Sequence, residues 1–255
     1  MDQITGLLIL CPLVFLAGLI DSIAGGGGLI SLPAYMLLGI PPHTALGSNK
    51  FSSTFGSVVA NIRYFKNQKV ELRVGAASVP AALIGSYAGS RVVLLLSGTI
   101  LRYIMLGAVP IIAVLVLVNK NFGLENHFSR LKLSYAIFVT VLASLAIGFY
   151  DGFFGPGTGT FLVLVFALVV KLDLVTASGN AKLVNLASNV AALVTFLRFD
   201  QVAFVFAIPA AFFGILGNYV GSGMAIKKGA RFIRPVFIFA LVLLVGFLAR
   251  DIFFA

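Results

Sequence analysis

The chain has 255 residues, 60% of them hydrophobic and only 10% charged, with a mean hydropathy of +1.09, a balance that excludes a water-soluble globular domain. Lys and Arg number 18 against 8 Asp and Glu, for a formal charge of +10. The basic residues stand in short clusters between apolar runs, the pattern of cytoplasmic loops, which excludes nucleic acid as a partner. One cysteine, Cys11, and two distant histidines, His43 and His127, exclude an internal disulfide and a metal cluster, and no cofactor is expected.

The first apolar run, residues 5–24, has no positive charge before it and a counterpart in mid-chain, so it reads as a membrane helix rather than a signal peptide. It ends at "DSIAGGGG", residues 21–28, and a short apolar piece follows at 28–38. Three full spans come next, at 45–65, 73–96 and 100–118. The stretch "NKNFGLENHFSRLK" then leads to a second series at 133–154, 158–170, 177–198, 202–224 and 232–253. The expected fold is an all-α, polytopic membrane protein, with no room left for a soluble catalytic domain.

The two series are copies. "GLIDSIAGGGG" aligns with "GFYDGFFGPGTG" at an offset of 130, placing Gly18 on Gly148, Asp21 on Asp151, Gly25 on Gly155 and Gly27 on Gly157. After a two-residue insertion the offset is 132, with "TALGSNK" on "TASGNAK", "GSYAGS" on "GNYVGS" and Arg102 on Arg234. A first repeat at 1–120, a cytoplasmic linker at 121–132 and a second repeat at 133–255 follow.

A helix of about 10 residues rises only about 15 Å, half of a hydrocarbon core, so the short pieces cannot cross alone. If each folds back beside the broken segment before it, the repeats have opposite orientations. Twelve basic residues then lie inside (Arg63, Lys66, Lys69, Arg73, Lys120, Arg130, Lys132, Lys171, Lys227, Lys228, Arg231, Arg234) and four outside (Arg91, Arg102, Arg198, Arg250). A single crossing gives parallel repeats and a division of nine to seven. The positive-inside rule favours inversion, with both termini outside.

Glycine runs at corresponding points of two inverted halves mark the binding site of a secondary transporter. Gly25, Gly26, Gly27 and Gly28 in one half and Gly155, Gly157, Thr158 and Gly159 in the other precede short helices whose first N–H groups suit an anion. Ser31, Thr158 and Thr160 add hydroxyls. Lys50 and Lys182 are intramembrane cations and site candidates on that ground. Lys50, Ser53 and Ser57 recur as Lys182, Asn185 and Asn189, spaced along one helical face, and Ser48, Asn49 and Asn180 extend this polar lining. Asp21 and Asp151 admit three roles: an ion pair with the lysine of the same half, a proton carrier, or a cap on free N–H groups of the break. His43 reads as part of an interface turn, and Arg102 and Arg234 as snorkelling anchors. Tyr150–Asp151 matches half of an intramembrane aspartyl protease pair, but the second, GxGD half that such an enzyme needs is absent, and an enzyme is not expected.

The paired motifs "GLIDSIAGGGGLISLP" and "GFYDGFFGPGTG", followed by "ALGSNK" and "ASGNAK", resemble the sulfite exporter TauE/SafE family over almost the whole chain. The resemblance implies a secondary transporter, commonly an exporter in the bacterial inner membrane, for small sulfur-containing anions such as sulfite or organosulfonates. An anion channel, or an importer coupled to protons or sodium, is the alternative. The partners expected are the anion and the lipid bilayer, and a homodimer is compatible with the sequence.

Overall fold

The computed structural model describes residues 3–97, 128, 131–233 and 235–236. The expected spans at 100–118 and, for the most part, 232–253, together with Arg102, His127 and Arg234, lie outside the described residues.

Helix α1 (Gln3–Ala24) stops where Gly25 and Gly26 take φ values of 75° and 91°, a left-handed conformation that only glycine adopts cheaply. The ten-residue α2 (Gly28–Leu37) follows. Helix α3 (Pro42–Lys66) opens on proline, whose missing N–H is no loss in a first turn, and α4 is Leu72–Leu94. In the second half, α5 (Leu133–Phe153) ends before Gly155 and Gly157, at φ 98° and 83°. Helix α6 (Thr158–Leu164) runs on into a π-helical turn at Val165–Val169. The repeat offset changes from 130 to 132 between Gly159 and Thr176, and this widened turn, a common way for a helix to take up inserted residues, lies in that interval. Helix α7 (Leu174–Arg198) is capped by Asp173, whose carboxylate accepts from the N–H groups of Val175 and Thr176 at 3.1 Å each. Helix α8 is Phe204–Lys228.

Four described helices, α1, α5, α7 and α8, are long and apolar enough to cross a membrane. Helices α3 and α4 are equally long but more polar, and they turn those polar groups inward: Ser48, Asn49, Lys50, Ser57, Ser78 and Ser86 are all buried. Large apolar side chains such as Leu8, Phe138 and Phe212 point outward, each at least 60% exposed. Buried polar groups beside a hydrophobic core, with apolar side chains on the outside, suit a lipid solvent.

Close backbone contacts repeat with the sequence. A Cβ on Gly85 or Gly89 of α4 would strike the carbonyl oxygens of Leu145 or Phe149 on α5, at 2.2 and 2.0 Å. The counterparts Gly217 and Gly221 of α8 stand against the carbonyls of Phe15 and Leu19 on α1, the counterparts of Leu145 and Phe149. Likewise Gly47 meets the carbonyl of Gln201, and Gly179 that of Lys69. Small residues thus bring backbones together at matching points, as in other membrane helix pairs. The equivalent helices α3 and α7 touch in antiparallel order, with Gly47 near Phe196, Lys50 near Asn189, Ser57 near Lys182 and Tyr64 near Gly179.

Candidate functional site

The two breaks meet at the centre of the molecule. Gly25 lies directly on Gly159, where a Cβ would be 2.2 Å from the Gly159 carbonyl carbon, and a Cβ on Gly28 would lie 3.3 Å from Pro156 Cα. Gly27 has ordinary helical dihedrals but no space, since a Cβ there would be 2.5 Å from that of Asp21. The run of four glycines therefore serves two needs, left-handed turning at Gly25 and Gly26 and close approach at Gly25 and Gly27.

The end of α1 has its carbonyls covered from three other helices. Tyr64 of α3 donates to Ser22 O at 2.7 Å, Ser178 of α7 to Ile23 O at 3.0 Å and Thr160 of α6 to Ala24 O at 3.3 Å. These donors satisfy acceptors that a helix terminus leaves open and fix the broken end in place.

The lysines and aspartates are paired across the halves. Lys50 Nζ lies 2.8 Å from Asp151 Oδ2, with both side chains at most 3% exposed, and donates to Asn189 Oδ1 at 3.0 Å. Lys182 pairs with Asp21 and donates to Ser57 Oγ at 3.3 Å. This corrects the expectation of one pair within each half: Asp21 does not hold Lys50. The physical reason is the Gly25–Gly159 contact, which carries the end of each broken helix to the other half's lysine helix.

Each aspartate has a second anchor. Asp21 Oδ1 accepts the N–H of Gly27 at 3.2 Å, so it both pairs with Lys182 and caps the break. Asp151 Oδ2 accepts from Ser188 Oγ at 2.6 Å. Buried charges are tolerable only when paired and hydrogen-bonded in this way.

Between the two breaks lies a polar cleft of about 290 Å³, counted out to its mouth. It is lined by Gly26, Gly28, Asn49, Lys50, Ser53, Asp151, Gly155, Gly157, Thr158, Gly159, Asn185 and Asn189, with Asp21 at its edge. Gly25 and Lys182 line a smaller space beside it with Asp21 and Gly159, while Gly27 and Ser31 border a third space that also reaches Asp21. Asn180 stands apart: its amide donates to Thr176 O at 2.9 Å and its side-chain oxygen faces Gly75 on α4. Ser48 likewise turns away, accepting the N–H of Ala203 at 2.9 Å.

Several expected donors are spent on the protein itself. Ser31 Oγ donates to Asn49 Oδ1 at 2.6 Å, and Thr158 Oγ1 to Gly155 O at 2.7 Å. The groups facing the cleft are nearly sealed from outside, with Lys50 at 2% exposure, Thr158 at 2% and Asn189 at 3%. This is a closed arrangement in which carboxylates neutralise the lysines. Sequence reasoning missed Ser188 and Asn218. Their signal was mismatch within the repeat, for Ser188 falls on Gly56 and Asn218 on Ser86.

The sulfite exporter TauE/SafE family model matches residues 10–248 of this chain. A probable membrane transporter protein, ORF9, from Sinorhizobium is 35% identical, over 93% of this chain and 90% of its own length. The probable membrane transporter YfcA of Escherichia coli K12 is 34% identical over 88% and 82%, and YdhB of Bacillus subtilis, described in the same words, is 23% identical over 87% and 94%. No solved structure matches the chain. With its long apolar helices, the chain is a multi-pass membrane transporter, and it belongs to the sulfite exporter TauE/SafE family.

Proposed function

We propose that the protein moves small sulfur-containing anions, sulfite or small sulfonates, across the bacterial inner membrane by alternating access between two inverted repeats. The crossed pairs carry this reading: each lysine is held by a carboxylate that a substrate anion can replace. An oxyanion entering between the breaks exchanges with Asp151 at Lys50, or with Asp21 at Lys182, so that the lysine stays paired while the displaced carboxylate keeps the Ser188 hydroxyl or the Gly27 N–H. The family description supports the sulfur-containing substrate. The antiparallel contact of α3 with α7 and the matching glycine contacts support the inversion.

Alternating access in such repeats is a rocking of one unit against the other around a fixed site. The aspartates give that rocking a resting partner for each lysine when no anion is bound. Export of a dianion from a negative-inside cell runs downhill by about 2.3 kcal/mol per charge per 100 mV, so it needs no coupling ion, whereas import needs one.

Purified protein in vesicles loaded with sulfite tests the reading. Saturable efflux, accelerated by sulfite on the opposite side and lowered at least tenfold by Lys50→Ala or Lys182→Ala, is expected. Flux that stays linear with concentration and shows no counterflow would indicate a channel, and unchanged flux in both variants would remove the lysines from the site.

A further inference from the structure

The pseudo-symmetry fails at one place beside the centre. A cleft of about 250 Å³, counted out to its mouth, borders Asp21 and is lined by Ala17, Gly27, Ser31, Ser52, Ser53 and Asn218 among others. In the second half the counterparts of Ala17, Ser31 and Ser52 are Ile147, Phe161 and Val184, and all three pack in or against the main hydrophobic core. Asp151 is thereby shut in, at 2% side-chain exposure, whereas Asp21 keeps 15%.

The lining of this cleft is rich in acceptors, and the hydroxyls of Ser31 and Ser52 and the N–H of Gly27 are already used as donors. Ser31 Oγ gives its proton to Asn49 Oδ1 or Gly27 O, at 2.6 and 3.1 Å, and Ser52 Oγ donates to Asn49 O at 3.1 Å. Ser52 also receives the hydroxyl of Tyr35 at 3.1 Å, and the N–H of Gly27 goes to Asp21. Asn218 is 2% exposed, and its amide nitrogen donates to Gly214 O at 3.0 Å, which fixes the orientation of the amide. Its Oδ1 has no hydrogen-bond partner. A buried acceptor left unmet in this way, as Asn61 Oδ1 and Asn180 Oδ1 also are, calls for a water or an ion.

We propose that this cleft binds a monovalent cation of sodium's size, held by the Asp21 carboxylate, Asn218 Oδ1 and the lone pairs of Ser31 and Ser52. Oxygen ligands of this kind, with one carboxylate among them, suit a hard cation, and the amide oxygen of Asn218 does not act as a base for a proton. The site exists in one half only. Its counterpart is closed because Ser188, in the place of Gly56, donates to Asp151, and Ser86, in the place of Asn218, donates to Ser188 O at 2.5 Å. Bound beside Asp21, the cation weakens the hold of that carboxylate on Lys182 and so favours the exchange with an anion. That consequence rests on the transport reading, whereas the binding itself does not.

The experiment is a thermal-unfolding titration of the full-length protein in detergent with sodium chloride, against choline chloride at equal ionic strength. Sodium should raise the melting temperature with saturation and choline should not. Asn218→Ser, which copies Ser86, should raise the half-saturating sodium concentration roughly tenfold, the loss of one charge-assisted contact. Asn218→Asp, nearly isosteric, should lower it, and serves if the serine variant does not fold. Equal shifts with sodium and choline, no shift at all, or half-saturation unmoved by Asn218→Asp would overturn the site in favour of water or nothing. Sulfite flux in vesicles is read separately: its absence counts against the transport reading and leaves the sodium titration standing.

Discussion

Lys50 Nζ and Asp151 Oδ2 lie 2.8 Å apart, 101 positions distant in sequence and on opposite sides of the internal repeat. With Lys182 and Asp21 paired in the reciprocal sense, neither half neutralises its own lysine. The two halves therefore depend on each other for charge balance as well as for packing.

The crossed pairing predicts which residues couple. Removing Lys50 or Asp151 alone strands a buried charge and should cost about 3–5 kcal/mol, while removing both should cost clearly less than the sum. A double-mutant cycle on melting in detergent checks this. Strong coupling is expected for Lys50 with Asp151 and weak coupling for Lys50 with Asp21; the reverse order would contradict the pairing.

The contact of the two breaks predicts a contrast between glycines. Gly25→Ala should cost about 3 kcal/mol or more, because its Cβ would stand 2.2 Å from Gly159 and its φ is 75°. Gly39 has the same φ of 75° and nothing within 4 Å, so Gly39→Ala should show only the backbone term, about 1–2 kcal/mol. Equal losses in unfolding experiments would mean that the breaks do not touch.

The proposed inversion of the repeats puts the turn at Gln68 and its counterpart at Asp200 on opposite faces of the membrane. Both residues have left-handed backbones, at φ 56° and 54°. In a Cys11→Ala background, an impermeant maleimide added to intact cells should label Asp200→Cys and reach Gln68→Cys only after permeabilisation. Labelling of both from the same side would exclude inversion.

The breaks, the short helices and the two lysines were legible in the sequence because each departs from what a membrane helix tolerates: left-handed glycine, insufficient length, unshared charge. The pairing was not. Asp21 with Lys50 and Asp21 with Lys182 obey the repeat equally well, and only the seating of Gly25 on Gly159 decides between them. Asn180 was placed in the polar lining by its position beside Lys182, yet helical rotation turns it to α4. Ser188 and Asn218 carry no signal in the matches of the repeat, because the specialisation of each half lies in its mismatches.

If a substrate anion takes the place of a carboxylate on a buried lysine, added anion should rescue a protein from which that carboxylate has been removed. Asp151→Asn leaves Lys50 without its partner. Titrating sulfite into wild type, Asp151→Asn and Asp151→Asn/Lys50→Ala in detergent, with melting temperature as readout, should stabilise the single variant more than the wild type and leave the double variant nearly unmoved. A sulfite response that is equal in all three proteins would mean that the anion does not take the carboxylate's place on Lys50.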